Sequence, residues 1–151
     1  MLIGCAGPTG DSYVRNPPPV RMVVSAIAQD AVEKLAALYP PGHTHIRLVY
    51  PMNNQGQLID DSFSTALENR LRLSGFTIKP WASLCLAWRL DILPKTIETK
   101  SGRNSMELED ANSDWYLRLN LADADKSEVR TLTRVYSSDG VPIAGFAEQT
   151  R

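Results

Sequence analysis

The chain has 151 residues, of which 43% are hydrophobic and 22% are charged, and these proportions are typical of one compact domain. Its 16 basic and 17 acidic residues give a formal net charge of −1. This balance excludes a general nucleic-acid binder, because that role requires concentrated Lys and Arg to neutralise phosphates. The longest nearly uncharged apolar run, residues 80–88, is far shorter than the roughly 20 residues of a membrane-spanning helix. No spanning segment is predicted.

The chain has two cysteines, which is too few for a disulfide-rich scaffold. Cys85 lies within an apolar stretch, which is the setting of a small buried packing residue and not of an activated thiolate. Cys5 follows Leu2-Ile3-Gly4 and precedes a stretch of small residues, Gly and Pro. The two cysteines are therefore interpreted separately.

The order Leu2-Ile3-Gly4-Cys5 resembles the lipobox of bacterial lipoproteins. In a lipobox, signal peptidase cuts between Gly and Cys, and the Cys becomes the lipid-modified first residue. A secretory signal also has a basic region and an apolar region of roughly 7 to 15 residues, and neither precedes Cys5 here. Either the start codon lies further upstream, so that residues 1–4 are the remnant of a lipoprotein signal, or the match is a coincidence.

Residues 5–19 are rich in Gly and Pro and end in Pro17-Pro18-Pro19. This composition lacks backbone donors and helix-compatible dihedral angles, so it predicts a flexible tether. Three consecutive prolines favour polyproline II, a semi-rigid spacer. The alternative for such a run is a ligand for an aromatic groove on a partner.

Two amphipathic helices are predicted. Apolar residues recur at three- and four-residue intervals over residues 24–38, and Pro40-Pro41-Gly42 ends that helix. Asp60-Asp61-Ser62 supplies capping side chains for a second helix, which Ser74-Gly75 closes. The neighbouring carboxylates of Asp60 and Asp61 are interpreted as helix caps and not as a metal or acid–base site.

Strands are predicted from alternation over residues 45–50, 84–92, 115–121 and 129–136, with shorter extended segments at 76–78 and 143–147. Residues 94–113 show neither period and are predicted to form a long mobile connection. The element order is that of an α+β fold, with two helices packed on one face of a mainly antiparallel sheet of about five or six strands. The last three strands are expected to form an antiparallel meander.

Few residues point to catalysis. His43 and His45 could share one strand face and hold a metal, but no spacing nominates a third ligand, so neither a metal nor another cofactor is predicted. Nucleotide-binding and hydrolase motifs are absent from the sequence. Trp88 and Trp115 are in phase with aliphatic strand positions and are predicted to be core residues, whereas Trp81 is a candidate surface aromatic.

Five segments resemble the TrbH family, the lipoproteins of conjugal-transfer (type IV secretion) systems. They are residues 30–44, 63–76, 115–121, 132–136 and 140–147. The resemblance implies a non-enzymatic component of the mating-pair-formation apparatus. Together with the lipobox it implies a lipid on Cys5, residues 5–19 as a lipid-anchored tether, and residues 20–151 as a single periplasmic α+β domain.

The resemblance also implies partners and a location. The lipid would attach the protein to the periplasmic face of the outer membrane, since Ala6 follows the cysteine where aspartate would favour the inner membrane. The implied partners are other channel proteins, with no direct nucleic-acid contact and no small-molecule substrate. Two alternatives remain: a soluble cytosolic α+β binding module with an unmodified Cys5, and an enzyme that uses His43 or His45.

Overall fold

The computed structural model describes residues 11–93 and 113–151. These residues form two helices and seven strands. In chain order, these are β1 (Tyr13–Val14), α1 (Arg21–Leu38), a 3₁₀ turn (Pro41–His43), β2 (His45–Leu48), α2 (Ser62–Leu73), β3 (Thr77–Ile78), β4 (Leu84–Leu93), β5 (Asp114–Asp123), β6 (Glu128–Tyr136) and β7 (Ala147–Thr150).

The first helix forms because its apolar residues fall on one stripe that the sheet can cover. Its buried residues are Val23, Val24, Ile27, Ala28, Ala31, Val32 and Leu35. The helix ends at Leu38, and the Tyr39 N–H still donates to the Leu35 carbonyl. Pro40 and Pro41 lack N–H groups and cannot extend the hydrogen-bond ladder, so the predicted end is confirmed.

The second helix has a defined cap at each end. Asp61 is the N-cap, and its side chain accepts from the Ser64 N–H at 2.7 Å. At the C-terminus, Gly75 adopts a φ of 98°, and the Phe76 N–H donates to the Leu71 carbonyl. This is a Schellman arrangement, which needs the left-handed conformation that glycine adopts readily. The predicted capping roles of Asp61 and Gly75 are confirmed.

The strands form one mixed sheet in the order β3-β2-β4-β5-β6-β7, with β1 also paired to β4. The pairings β4–β5, β5–β6 and β6–β7 are antiparallel and include most of the paired residues. The pairings β1–β4, β2–β4 and β2–β3 are parallel. The α+β class and the mainly antiparallel sheet are confirmed, but the sheet has seven strands and not five or six.

Both helices lie on one face of the sheet, which we call the first face. The core is built from their apolar stripes and from alternate residues of the two long central strands. In β5 the alternation is complete: Trp115, Leu117, Leu119 and Leu121 are buried, and the residues between them are half-buried. The predicted core positions of Trp88 and Trp115 are confirmed, with exposed fractions of 1% and 5%.

The predicted flexible tether over residues 5–19 is wrong for residues 12–15. Tyr13 and Val14 pair with Arg89 and Leu90 of β4. The buried Ser12 hydroxyl accepts from the Trp88 N–H at 3.0 Å, so the segment is fixed to the sheet. Residues 5–10 of the predicted tether lie outside the described residues.

The last strand is also displaced from its predicted position. The sequence predicts an extended segment at residues 143–147, but β7 begins at Ala147, and Val141 and Ile143 are 60% and 57% exposed. Pro142 has no N–H, and the Arg134 guanidinium donates to the Ala144 carbonyl at 2.8 Å. Pro142 forms only an isolated bridge with Tyr136, and residues 143–146 lie outside any strand. Gly140, which precedes them, approaches α1, where an added Cβ would meet Val23 and Ala26. The predicted long connection lies almost wholly outside the described residues.

Candidate interaction surfaces

The predicted lipidation site, Cys5, and the lipobox residues Leu2, Ile3 and Gly4 lie outside the described residues. Cys85 is 5% exposed on β4, as predicted for a packing residue, but it is disulfide-bonded. The chain has two cysteines. An intramolecular disulfide at Cys85 and a thioether-linked lipid on Cys5 exclude each other, because both would use the sulfur of Cys5.

The two histidines do not form a metal centre with other described residues. His43 lies in the 3₁₀ turn and His45 begins β2, and both are exposed. In residues 11–93 and 113–151 no group of three or more His, Cys, Asp or Glu side chains is placed to hold a metal ion. His45 instead packs edge-on against Trp81, with ring centroids 5.8 Å apart. Trp81 is 66% exposed, which confirms it as a surface aromatic.

A carboxylate of α1 holds the helix against β6. Arg134 donates to both carboxylate oxygens of Asp30, at 3.0 and 2.8 Å, and the Tyr136 hydroxyl donates to the same carboxylate. Burial, and then the hydrogen bond to Asp30, raises the pKa of Tyr136 far above its usual 10.0. A phenol with a raised pKa stays neutral and is a poor base near neutral pH. The network is a structural clamp.

A half-buried phenol, Tyr50, behaves in the same way. The Tyr50 hydroxyl donates to the Glu68 carboxylate of α2, and burial, followed by this hydrogen bond, raises the pKa of Tyr50. Its ring packs edge-on against Trp88 at 5.9 Å. Tyr50 therefore ties the segment after β2 to the second helix, and nothing in this pair resembles an activated nucleophile.

The β7 strand is an exposed edge of the sheet. All four of its residues are exposed. The Val129 and Arg151 backbones exchange hydrogen bonds at 3.0 and 2.8 Å, which fixes the phase of the ladder. In an antiparallel ladder the hydrogen-bonded positions alternate, so the N–H and C=O groups of Glu148 and Thr150 point away from β6. Such groups can pair with an added strand.

A family model described as "Conjugal transfer protein TrbH" matches residues 8–147. The chain belongs to the TrbH family. The match covers both helices and every strand from β1 to the first residue of β7, so the resemblance in the sequence is confirmed and extends to the segment before α1. No curated protein and no solved structure matches the chain.

The TrbH domain has a second sheet face, opposite the helices. Its residues alternate with the core residues of the same strands and include Tyr13, Arg47, Arg89, Asp91, Tyr116, Arg118, Asn120, Thr131 and Thr133. Most are half-buried, and Thr131 donates to the Asn120 side chain at 3.0 Å. The sequence placed Tyr13 in the tether and the others between the core positions of predicted strands. It missed their grouping, because strand register is set by non-local pairing.

The loop between β2 and α2 gives this TrbH domain an exposed apolar tip. Met52 and Leu58 form an isolated antiparallel bridge and are 59% and 65% exposed, with Ile59 beside them at 44%. The Asn53 side chain accepts from the Gln55 and Gln57 N–H groups and shapes the turn. Within the described residues, no helix is long and apolar enough to cross a bilayer.

Proposed function

We propose that this TrbH protein is a non-enzymatic, lipid-anchored component of a conjugal-transfer apparatus, held at the periplasmic face of the outer membrane by Cys5. The single observation that carries the transfer role is the family match over residues 8–147. The order Leu2-Ile3-Gly4-Cys5 supports the lipid anchor, because it matches a lipobox. The anchored form carries the lipid on Cys5 in place of an intramolecular disulfide with Cys85. The family match does not favour the cytosolic binding module.

The domain is built to contact other transfer proteins and not to transform a substrate. Its two best-defined titratable clusters, around Tyr136 and Tyr50, are internal clamps. The β7 edge supports protein contact, because the outward N–H and C=O groups of Glu148 and Thr150 match an extended segment of a partner channel protein. A second contact surface, which is apolar, is formed by the exposed side chains of Met52, Leu58 and Ile59.

The lipid anchor is tested by labelled-palmitate incorporation and membrane fractionation. The protein is expressed from its native locus with its upstream codons. We expect label in the wild type and in the matched Cys85→Ser variant, and none in Cys5→Ser, because only Cys5 follows a lipobox. Cys5→Ser should also leave the membrane fraction and lower the transfer frequency, since stable anchoring requires the acyl chains.

Thiol titration of the denatured wild type distinguishes a lipid-modified cysteine from cysteines paired in disulfides. A protein that carries no label and releases two thiols per chain only after reduction would have its cysteines in disulfides, and the anchor would be refuted. Transfer unchanged by Cys5→Ser would likewise refute a role for the anchor, while the family membership would stand.

A further inference from the structure

Four side chains form a row across the second face of the sheet. Tyr13 pairs with Arg89, Arg89 with Arg118, and Arg118 with Thr133, so the row runs over β1, β4, β5 and β6. Directly opposite residues of neighbouring strands point to the same face and lie within about 5.5 Å of each other. The row therefore places two arginines directly opposite each other on neighbouring strands, with a tyrosine on one side and a threonine on the other.

The two arginines differ in what neutralises them. Arg89 is paired with Asp91 at 3.3 Å, and its guanidinium lies 4.8 Å from the centre of the Tyr13 ring. Asp91 is also shared with Arg15 at 3.4 Å. Arg118 has no ion pair with any residue in 11–93 or 113–151, and its Nε is buried without a hydrogen-bond acceptor. The face thus has more positive than negative charge at Arg118.

This arrangement is unfavourable for the isolated domain. Like charges directly opposite on neighbouring strands repel each other, and a buried N–H without an acceptor loses its hydration. Polar groups that a fold maintains at such a cost are typical of binding sites. We propose that Arg118 and Arg89 form an anion-binding site for a carboxylate-bearing segment of a partner protein. The proposal does not depend on a lipid at Cys5.

The charge and extent of the row favour an acidic protein segment over a nucleic acid. A guanidinium matches a carboxylate through two parallel N–H···O bonds, so two adjacent arginines suit one or two Asp or Glu side chains. A nucleic acid instead requires many phosphates to be neutralised along its backbone. The chain has a net charge of −1, and Asp91 already neutralises part of this face.

The proposal is tested on the full chain with two probes at low salt: a fluorescent hexaglutamate peptide and an oligothymidylate of equal charge. We expect the peptide to bind more tightly than the oligonucleotide. Arg118→Gln and Arg89→Gln should each weaken peptide binding about tenfold, the loss typical of one charge-assisted hydrogen-bonded contact. Arg118→Lys should retain part of the affinity, because it keeps the positive charge but cannot form the two parallel hydrogen bonds of a guanidinium.

Arg72→Gln is the matched control, since it removes the same charge from α2, where the side chain is 54% exposed beside Glu68. It should leave peptide binding unchanged. Equal losses in Arg72→Gln and Arg118→Gln, no peptide binding, or tighter oligonucleotide binding would each overturn the proposal.

Thermal melting without peptide separates binding from a structural role. Arg118→Gln should melt at the same temperature as the wild type or a few degrees higher, because it relieves the repulsion and the unsatisfied donor. A fall of several degrees would show that Arg118 supports the fold, and it would overturn its assignment as a binding group.

Discussion

The two faces of the sheet use the same strands for opposite purposes. On β5, Leu117, Leu119 and Leu121 point toward the helices and are at most 1% exposed, whereas Tyr116 and Arg118 point the other way and are half-buried. The first face gains stability from apolar area removed from water. The second face has polar and charged groups that contribute little to that gain. The contrast shows that stability and recognition can be assigned to alternate residues of one strand.

The largest expected effect tests this contrast with two substitutions to alanine. Leu119→Ala should lower the free energy of unfolding by about 2–5 kcal/mol, because it leaves a cavity in a closely packed core. Thr133→Ala on the second face should change it by less than about 1 kcal/mol. Urea unfolding of both variants measures the difference. Similar losses would show that the second face is packed as tightly as the first, and the contrast would fail.

The next effect concerns the clamp between α1 and β6. Tyr136→Phe removes one hydrogen bond to the Asp30 carboxylate and leaves the Arg134 pair in place. We expect a loss of about 1.5 kcal/mol in the free energy of unfolding at neutral pH, the lower range for a hydrogen bond to a charged group. Arg72→Gln, at an exposed pair on α2, should be close to neutral and serves as the control.

The pH dependence of the free energy of unfolding tests the same hydrogen bond between Tyr136 and Asp30. The folded-state pKa of Tyr136 is raised above the usual 10.0 by burial and by Asp30, so the folded protein retains a proton that the unfolded chain releases. This contribution to stability is complete below pH 10 and is lost as the pH rises above it toward the folded-state pKa. Wild-type stability should therefore fall as the pH rises from about 10 to about 12, and the stability of Tyr136→Phe should fall less over the same range. The loss of stability that persists in Tyr136→Phe is expected from Tyr50, whose pKa is also raised. Equal slopes would contradict the clamp.

The smallest effect lies at the N-terminus of the second helix. Asp61 accepts from both the N–H and the hydroxyl of Ser64, and that hydroxyl in turn accepts from the Trp88 indole at 3.0 Å. Asp61→Ala should lower the free energy of unfolding by about 1 kcal/mol, as expected for a lost N-cap. Asp61→Asn should retain most of the stabilisation by the N-cap, because the Asn side-chain oxygen also accepts a hydrogen bond. If the alanine variant is as stable as the wild type, the cap contributes nothing to holding this helix on the first face.

The helices and long strands were predictable because their signals are local. Leu84, Leu86 and Trp88 alternate with smaller or polar residues, and that period alone defines β4. The strand β1 was missed because Tyr13 and Val14 are only two residues within a Gly- and Pro-rich segment. Their pairing with Arg89 and Leu90 spans 76 positions, and such long-range contacts leave no periodic signal.

The candidate binding row could not be predicted for the same reason. Arg118 reads in the sequence as one polar position of an alternating strand, and Arg89 as another, 29 positions earlier. Only the register of β4 with β5 makes them neighbours. The extended segment predicted at residues 143–147 was placed too early, since Ile143 is exposed and β7 begins only at Ala147.

The docking of Ser12, Tyr13 and Val14 against β4 also sets how far the domain can travel. With a lipid on Cys5, only six residue steps separate the bilayer surface from Asp11, a contour of at most about 20 Å. That length is less than the diameter of a typical domain of this size. The domain would therefore not sample the depth of the periplasm. A protein anchored in this way would search for its partners within a thin layer along the membrane that holds its lipid, by nearly two-dimensional diffusion.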